Sequence, residues 1–225
     1  MSQYPPSAST VEPLDLAHLE PVVAWGRLAG DLVNAVGSAR HPFHLVHVGT
    51  VDSSGLPQVR TVVLRRFDDA PGSGIGPALP PTTDDQSRRA AAWFHTDIRS
   101  PKVSDLRRTP AVALHWYDPS RRLQIRVSAT AVIHHLDAVA RNAWSRSKSM
   151  SRACYLSRSS PGLPLTEYPP APPVPHDDDG DAFVHFSAIG CQFDRVEVLE
   201  LAAEGHRRFL LRLDARGVTR QILAP

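Results

Sequence analysis

The sequence predicts a mainly β protein, an antiparallel β-barrel with peripheral helices, and three observations carry that expectation. Short apolar or alternating runs recur along the chain, nearly all separated by brief turn signals. One run alternates strictly: Leu123, Ile125, Val127, Ala129, Ala131 and Ile133 face one way, Arg122, Gln124, Arg126, Ser128 and Thr130 the other. Helical periodicity is confined to a few stretches, so a barrel fits better than a parallel α/β scheme.

A chain of 225 residues can bury a sizeable core. Its formal net charge of +2 supplies no field that would favour nucleic acid, so no nucleic-acid partner is expected. No apolar stretch approaches bilayer length, and "MSQYPPSAST" lacks the basic and apolar regions of a secretory signal. A cytoplasmic protein with no membrane partner is the expectation. Cys154 and Cys191 stand far apart and outside any CxxC pattern, which suggests neither a disulfide framework nor a zinc site.

Residues 1–13, rich in Pro and Ser, read as a flexible tail, and 14–225 as a single domain. Asp15 is placed to cap a short helix. Pro21 is placed to open another running to about Ala39, with Val22, Trp25, Leu28, Ala29, Leu32 and Val36 on one face. "PFHLVHVGTVDSSGLPQVRTVVLRRFD" reads as a hairpin about the turn "DSSG". Pro-rich segments at about 69–88 and 158–182 read as surface loops. Between them lie the strand "AAAWFHTD", a short helix opened by Ser100 and Pro101, strands "AVALHWY" and "RLQIRVSATAVI" about the turn "DPSR", and an amphipathic helix over 136–148. "AFVHFSAI", "CQFDRVEVLEL", "RRFLLRL" and "VTRQIL" complete about seven or eight strands.

The chemistry concentrates in three places. In "PQVRTVVLRRFD", Arg60, Arg65 and Arg66 bracket an apolar run; such guanidinium groups either snorkel to water or reach the oxygens of an anionic ligand. In "FHTDIRSPKVSDL" a strand ends at His95 and Thr96 and a helix starts after Ser100. The free N–H groups of a helix N-terminus suit a phosphate, and Lys102 in that first turn is unfavourable unless an anion is present. Gln124, on the polar side of its strand, can offer a donor and an acceptor to a heterocycle edge. His41, His44 and His47 straddle a strand start and would not converge, so no metal site is expected.

Taken in order, "RTVVLR", "FHTD" with "SPK", "LQIRV", "HRRF" and the final "LAP" resemble the pyridoxamine 5′-phosphate oxidase-like family, over roughly residues 20–225. The resemblance implies an FMN-binding split barrel working as a homodimer on a small-molecule substrate or reductant, with FMN at the subunit interface. It implies that Arg60, Thr61, Val62, Val63, Leu64 and Arg65 lie along the cofactor, that His95 and Thr96 contact it, and that Lys102 holds its phosphate. Gln124 would face the ring, and Arg208 would approach from the other subunit. The sequence also departs from the family. Pro101 stands where the oxidases carry a phosphate-binding arginine, leaving Arg99 or another group to replace it, and Val198 and Leu199 stand near the place of a flavin-packing tryptophan. The substrate-gripping "RLH" becomes "EGH", Glu204 to His206, and Glu204 would repel a substrate phosphate. FMN-dependent redox chemistry is therefore the expectation, more than pyridoxamine phosphate oxidation itself. The alternative is a split-barrel protein that binds flavin or haem without turnover.

Overall fold

The computed structural model describes residues 15–69, 89–168, 180–214 and 217–225. The proposed tail, nearly all of the first Pro-rich loop and residues 169–179 of the second lie outside these residues. After a 3₁₀ turn at Leu16–His18 come α1 (Pro21–Gly37), β1 (Leu45–Val51), β2 (Pro57–Val63), β3 (Arg66–Asp68), β4 (Ala91–Asp97) and α2 (Pro101–Arg108). They are followed by β5 (Ala111–Asp118), β6 (Leu123–His134), α3 (Ala138–Ser145), α4 (Ser149–Arg152), a 3₁₀ turn at Ala153–Tyr155 and α5 (Gly180–Phe183). The long β7 (Phe186–Glu200), β8 (Arg207–Asp214) and β9 (Gly217–Leu223) complete the chain.

The strands form one antiparallel sheet in the order β2-β1-β5-β6-β7-β4-β3, with β8 and β9 continuing from β7. Two features turn it into a split barrel. First, the chain leaves β2 at one edge and enters β3 at the other after only Leu64 and Arg65. Their N–H groups donate to His44 O and Trp93 O, each at 2.8 Å, and bring the edges together. Second, β7 serves two partners along one edge: β4 takes residues 186–192 and β8 takes residues 196–200. The sheet divides at Asp194, which drops out of register with β6 between Ser128 and Ala129.

Alternation fills the barrel. Val46, Val48, Phe94, Leu114, Trp116, Ile125, Val127, Val196 and Val198 point inward, and α1 covers the interior with Trp25, Leu28, Ala29 and Leu32. Val22, expected on that helix face, is exposed, and Ala24 and Ala35 are buried in addition. The buried indole N–H groups find partners, Trp25 Nε1 at Asp69 (2.8 Å) and Trp116 Nε1 at Phe43 O (3.1 Å). A smaller cluster of Ala140, Tyr155, Phe186 and Ala188, with Trp144 beside it, packs α3 and the turn at Ala153–Tyr155 onto the outside of β7.

The expected elements recur with three differences. "PQVRTVVLRRFD" is two strands, because Leu64 turns into the core. Of "AFVHFSAI" only Phe186 onward is strand, since Ala182 and Phe183 belong to α5, and it runs without a break through Gly190 into "CQFDRVEVLE" as β7. The amphipathic helix is shorter than 136–148, since Leu136 adopts φ 57° and Asp137 caps α3 by accepting from Ala140 N at 2.8 Å. Among the described residues, no helix is long and apolar enough to cross a membrane.

Candidate functional site

A cleft of about 510 Å³ opens on the flank of the barrel, within the usual range for small-molecule sites. Its floor is the end of β2 (Thr61, Val62, Val63), Arg65 just beyond it, and the end of β4 (His95, Thr96, Asp97). Its opposite wall is Met150, Ser151, Cys154, Tyr155 and Pro161. That wall is not legible in the sequence, since 149–155 has neither helical nor strand periodicity. Only the packing of Tyr155 against Phe186, with ring centroids 5.2 Å apart, places it over the cleft.

One end of the cleft is a polar cradle. Lys102, in the first turn of α2, donates from Nζ to Thr96 Oγ1 at 3.0 Å and Ser100 Oγ at 3.2 Å. Ser100 stands at the N-cap but does not cap α2 with its side chain; the hydroxyl is turned to Lys102 and Thr96 instead. Burial lowers the Lys102 pKa, and the nearby Arg60 lowers it further. Among the described residues, no carboxylate lies within ion-pairing distance of Lys102, and α2 has no acidic residue in its first turn. A half-buried ammonium at a helix N-terminus, satisfied only by hydroxyls, is a seat for an anion. Arg60 itself is braced from below by Thr50 Oγ1 (2.6 Å) and by Asp105 (3.8 Å).

The middle of the cleft is controlled by His95 and Arg65. His95 packs edge-on to Phe186 at 4.8 Å, and burial, reinforced by the Arg65 charge, pulls its pKa down to about 4. It is therefore neutral at pH 7 and can donate or accept without adding charge. Arg65 is exposed and, among the described residues, makes no ion pair. Burial pushes the Tyr155 hydroxyl pKa up, so it stays protonated.

Arg99 does not stand free to replace the arginine missing at Pro101. Its guanidinium grips Asp97 at 2.6 and 3.0 Å and donates to Ser157 O (2.9 Å) and Arg158 O (3.3 Å). It thus ties the strap after Tyr155 to the phosphate end, where Gly162 (φ 87°) lies against the Pro101 ring.

Of the residues singled out in the sequence, Thr61, Val62, Val63, Arg65, His95 and Thr96 meet in the cleft, with Lys102 and Arg60 at its polar end. Leu64 is 1% exposed and belongs to the core. Gln124 and Arg208 lie on the outward face of the sheet, away from their own chain's cleft: Gln124 hydrogen-bonds His115, and Arg208 pairs with Glu197. Val198 is buried in the barrel, and Glu204 and His206 are exposed in the β7–β8 turn. His41, His44 and His47 turn to separate partners, Phe43 N, Ala35 O and Thr61 Oγ1.

A split antiparallel barrel with an anion seat beside an open cleft defines a class of protein that lays a phosphate-bearing ligand along its strands. Residues 24–135 match the family model for the pyridoxamine 5′-phosphate oxidase, FMN-binding domain, and the chain belongs to that family. In fold it is similar to a pyridoxamine 5′-phosphate oxidase-related, FMN-binding protein from Nostoc punctiforme PCC 73102, with 20% identity and a TM-score of 0.61 over 92% of this chain and 99% of that one. It is also similar to PhzG from Burkholderia lata 383, solved in complex with tetrahydrophenazine-1-carboxylic acid, with 19% identity and a TM-score of 0.57 over 92% and 93% of the two chains. No curated protein matches the sequence. The residues present fit FMN: the cradle offers cationic and hydroxyl donors for a phosphate, and the strand end beside it offers an apolar wall with polar groups at its margin.

Proposed function

We propose that the protein is an FMN-dependent oxidoreductase acting as a homodimer on a small-molecule substrate. The observation that carries this reading is the Lys102–Thr96–Ser100 cradle, where no carboxylate of the described residues lies within ion-pairing distance of the ammonium, inside a chain that carries an FMN-binding domain. Lys102, with the two hydroxyls and the charge of Arg60, holds the phosphate. Thr61, Val62 and Val63 wall the cofactor, with Leu64 anchoring that strand end in the core. His95 supplies a neutral hydrogen-bonding group, and Arg65 supplies positive charge at the mouth. When bound, FMN supplies redox chemistry that no side chain can, and the protein's part is to orient it and shield it from water.

Gln124 and Arg208 support the dimer. They do not line their own chain's cleft but share the sheet face that carries Thr61, a placement that fits contact with the cofactor of a second copy. Pyridoxamine phosphate is disfavoured as the substrate, because Glu204 stands where the family's oxidases carry a phosphate-gripping arginine.

Anaerobic addition of NADH or NADPH to the FMN-loaded protein, followed by air, tests the activity. Bleaching of the flavin absorbance and its return in oxygen are expected with at least one donor. Tightly bound flavin that neither nicotinamide reduces would contradict an oxidoreductase of this kind.

A further inference from the structure

On the outward face of β6, β7 and β8, three arginines close around one carboxylate. Glu197 is only 4% exposed; its Oε1 accepts from Arg126 Nη1 at 3.1 Å and from Arg208 Nε and Nη2 at 3.0 and 2.9 Å, and its Oε2 accepts from Arg195 Nη2 at 3.3 Å. Among the described residues, none of the three arginines has a second carboxylate within ion-pairing distance. Asp194, next to Arg195, is already held by Arg89 and Thr130. The cluster therefore carries two positive charges more than negative ones. The Arg126 and Arg195 side chains nonetheless stay open to solvent, 55% and 54% exposed.

A guanidinium has five N–H donors in a fixed plane, and Glu197 engages only one edge of each. The shared carboxylate also offsets the repulsion that would drive the three guanidinium groups apart, so they are held together before any ligand arrives. A preorganised set of this kind favours an oxyanion with two or more oxygens over a monatomic ion such as chloride.

We propose that the Arg126–Arg195–Arg208 cluster on Glu197 is an oxyanion-binding site, and that it takes the carboxylate or phosphate of the small molecule that exchanges electrons with the flavin. Its link to the reaction rests on the FMN reading above. Gln124 lies two residues from Arg126 on the same strand face, and Arg126 is in register with His115. This is the face from which Gln124 and Arg208 would reach the partner's cofactor. The substrate class is thereby an acid, bound through its anionic group, with its redox-active part toward the flavin.

Calorimetric titration of inorganic phosphate and of succinate into the FMN-loaded protein, in chloride buffer of constant ionic strength, reads the site directly and separates the two oxyanion chemistries. Saturable binding of at least one is expected, weakened about tenfold or more in Arg126→Ser and in Arg195→Ser, the scale of one lost charge-assisted hydrogen bond. Flavin-fluorescence quenching should show unchanged FMN affinity in both variants, which also establishes that they fold. Absence of saturable binding, or equal binding in wild type and both variants, overturns the proposal. Failure of FMN to bind wild-type protein would count against the cofactor reading. The same titrations on the FMN-free Lys102→Met chain, whose cleft no longer seats phosphate, would then decide the oxyanion site by the same two outcomes.

Discussion

His95 shows how one position links stability to the site. Folded, it titrates near 4, whereas an unfolded histidine titrates near 6.5. Between those values the unfolded chain binds a proton that the folded chain does not, so stability is lost as pH falls through this window and the loss levels off below about 4. Its share is of the order of 3 kcal/mol, because each pKa unit corresponds to about 1.4 kcal/mol. Urea unfolding of His95→Gln at about pH 7 and pH 4.5 should show a shallower fall than wild type by about 2.5 kcal/mol, most of that share. Equal slopes would mean that the ring is hydrated. Lys102 was legible in the sequence because a cation in a first helical turn contradicts the helix dipole unless an anion compensates. Cys154 and Tyr155 were not, because their place in the cleft depends on packing between segments distant in sequence. Nor was Arg99, whose role as a clamp on the carbonyls of Ser157 and Arg158 leaves no trace in local pattern.

At the scale of elements, β6 was readable apart from its first residue: from Leu123 each alternate side chain obeys one of two environments, whereas Arg122, expected on the outward face, stands in the preceding turn with φ 52°. The β2–β3 junction was not. Leu64 continues the apolar run and Arg65 follows with no turn residue between them, yet their N–H groups are claimed by His44 O and Trp93 O, and closing the barrel outweighs extending one strand. β7 hides another such contest. Glycine inside a strand usually signals a break, but Gly190 runs straight through because the Trp93 indole lies flat on it. A Cβ there would stand 2.8 Å from the ring. The ring cannot retreat, since Asp68 holds its N–H at 2.5 Å and Arg66 stacks on it at 5.1 Å. Gly190→Ala should therefore destabilise the fold by about 1–3 kcal/mol, the cost of overpacking. A denaturation midpoint equal to that of wild type would show that Trp93 is mobile.

For the whole molecule, the barrel was legible because strand alternation and short turns constrain antiparallel sheets tightly. The split at Asp194 was not, because one long strand serving two partners looks like two strands in sequence. The proposed site spans both levels: the cleft belongs to one chain, whereas Gln124 and Arg208, placed in the site by the dimer reading, do not line it. Sedimentation should therefore give a dimer. Co-refolding Lys102→Met with Arg208→Ser chains should restore about a quarter of the FMN sites, since in mixed dimers one interface recovers both residues. No restoration would place Arg208 outside the partner's site.

On the proposed reading, the cradle at Lys102 seats the phosphate of FMN. Its most direct test is an equilibrium titration of FMN into wild type and Lys102→Met, followed by flavin fluorescence, with thermal unfolding of both proteins measured alongside. Saturation near one FMN per chain is expected in wild type, with affinity about tenfold or more weaker in the variant and its unfolding midpoint unchanged or raised, because a half-buried ammonium has been removed. Equal affinity in the two proteins, or no binding to wild type at micromolar FMN, would contradict it.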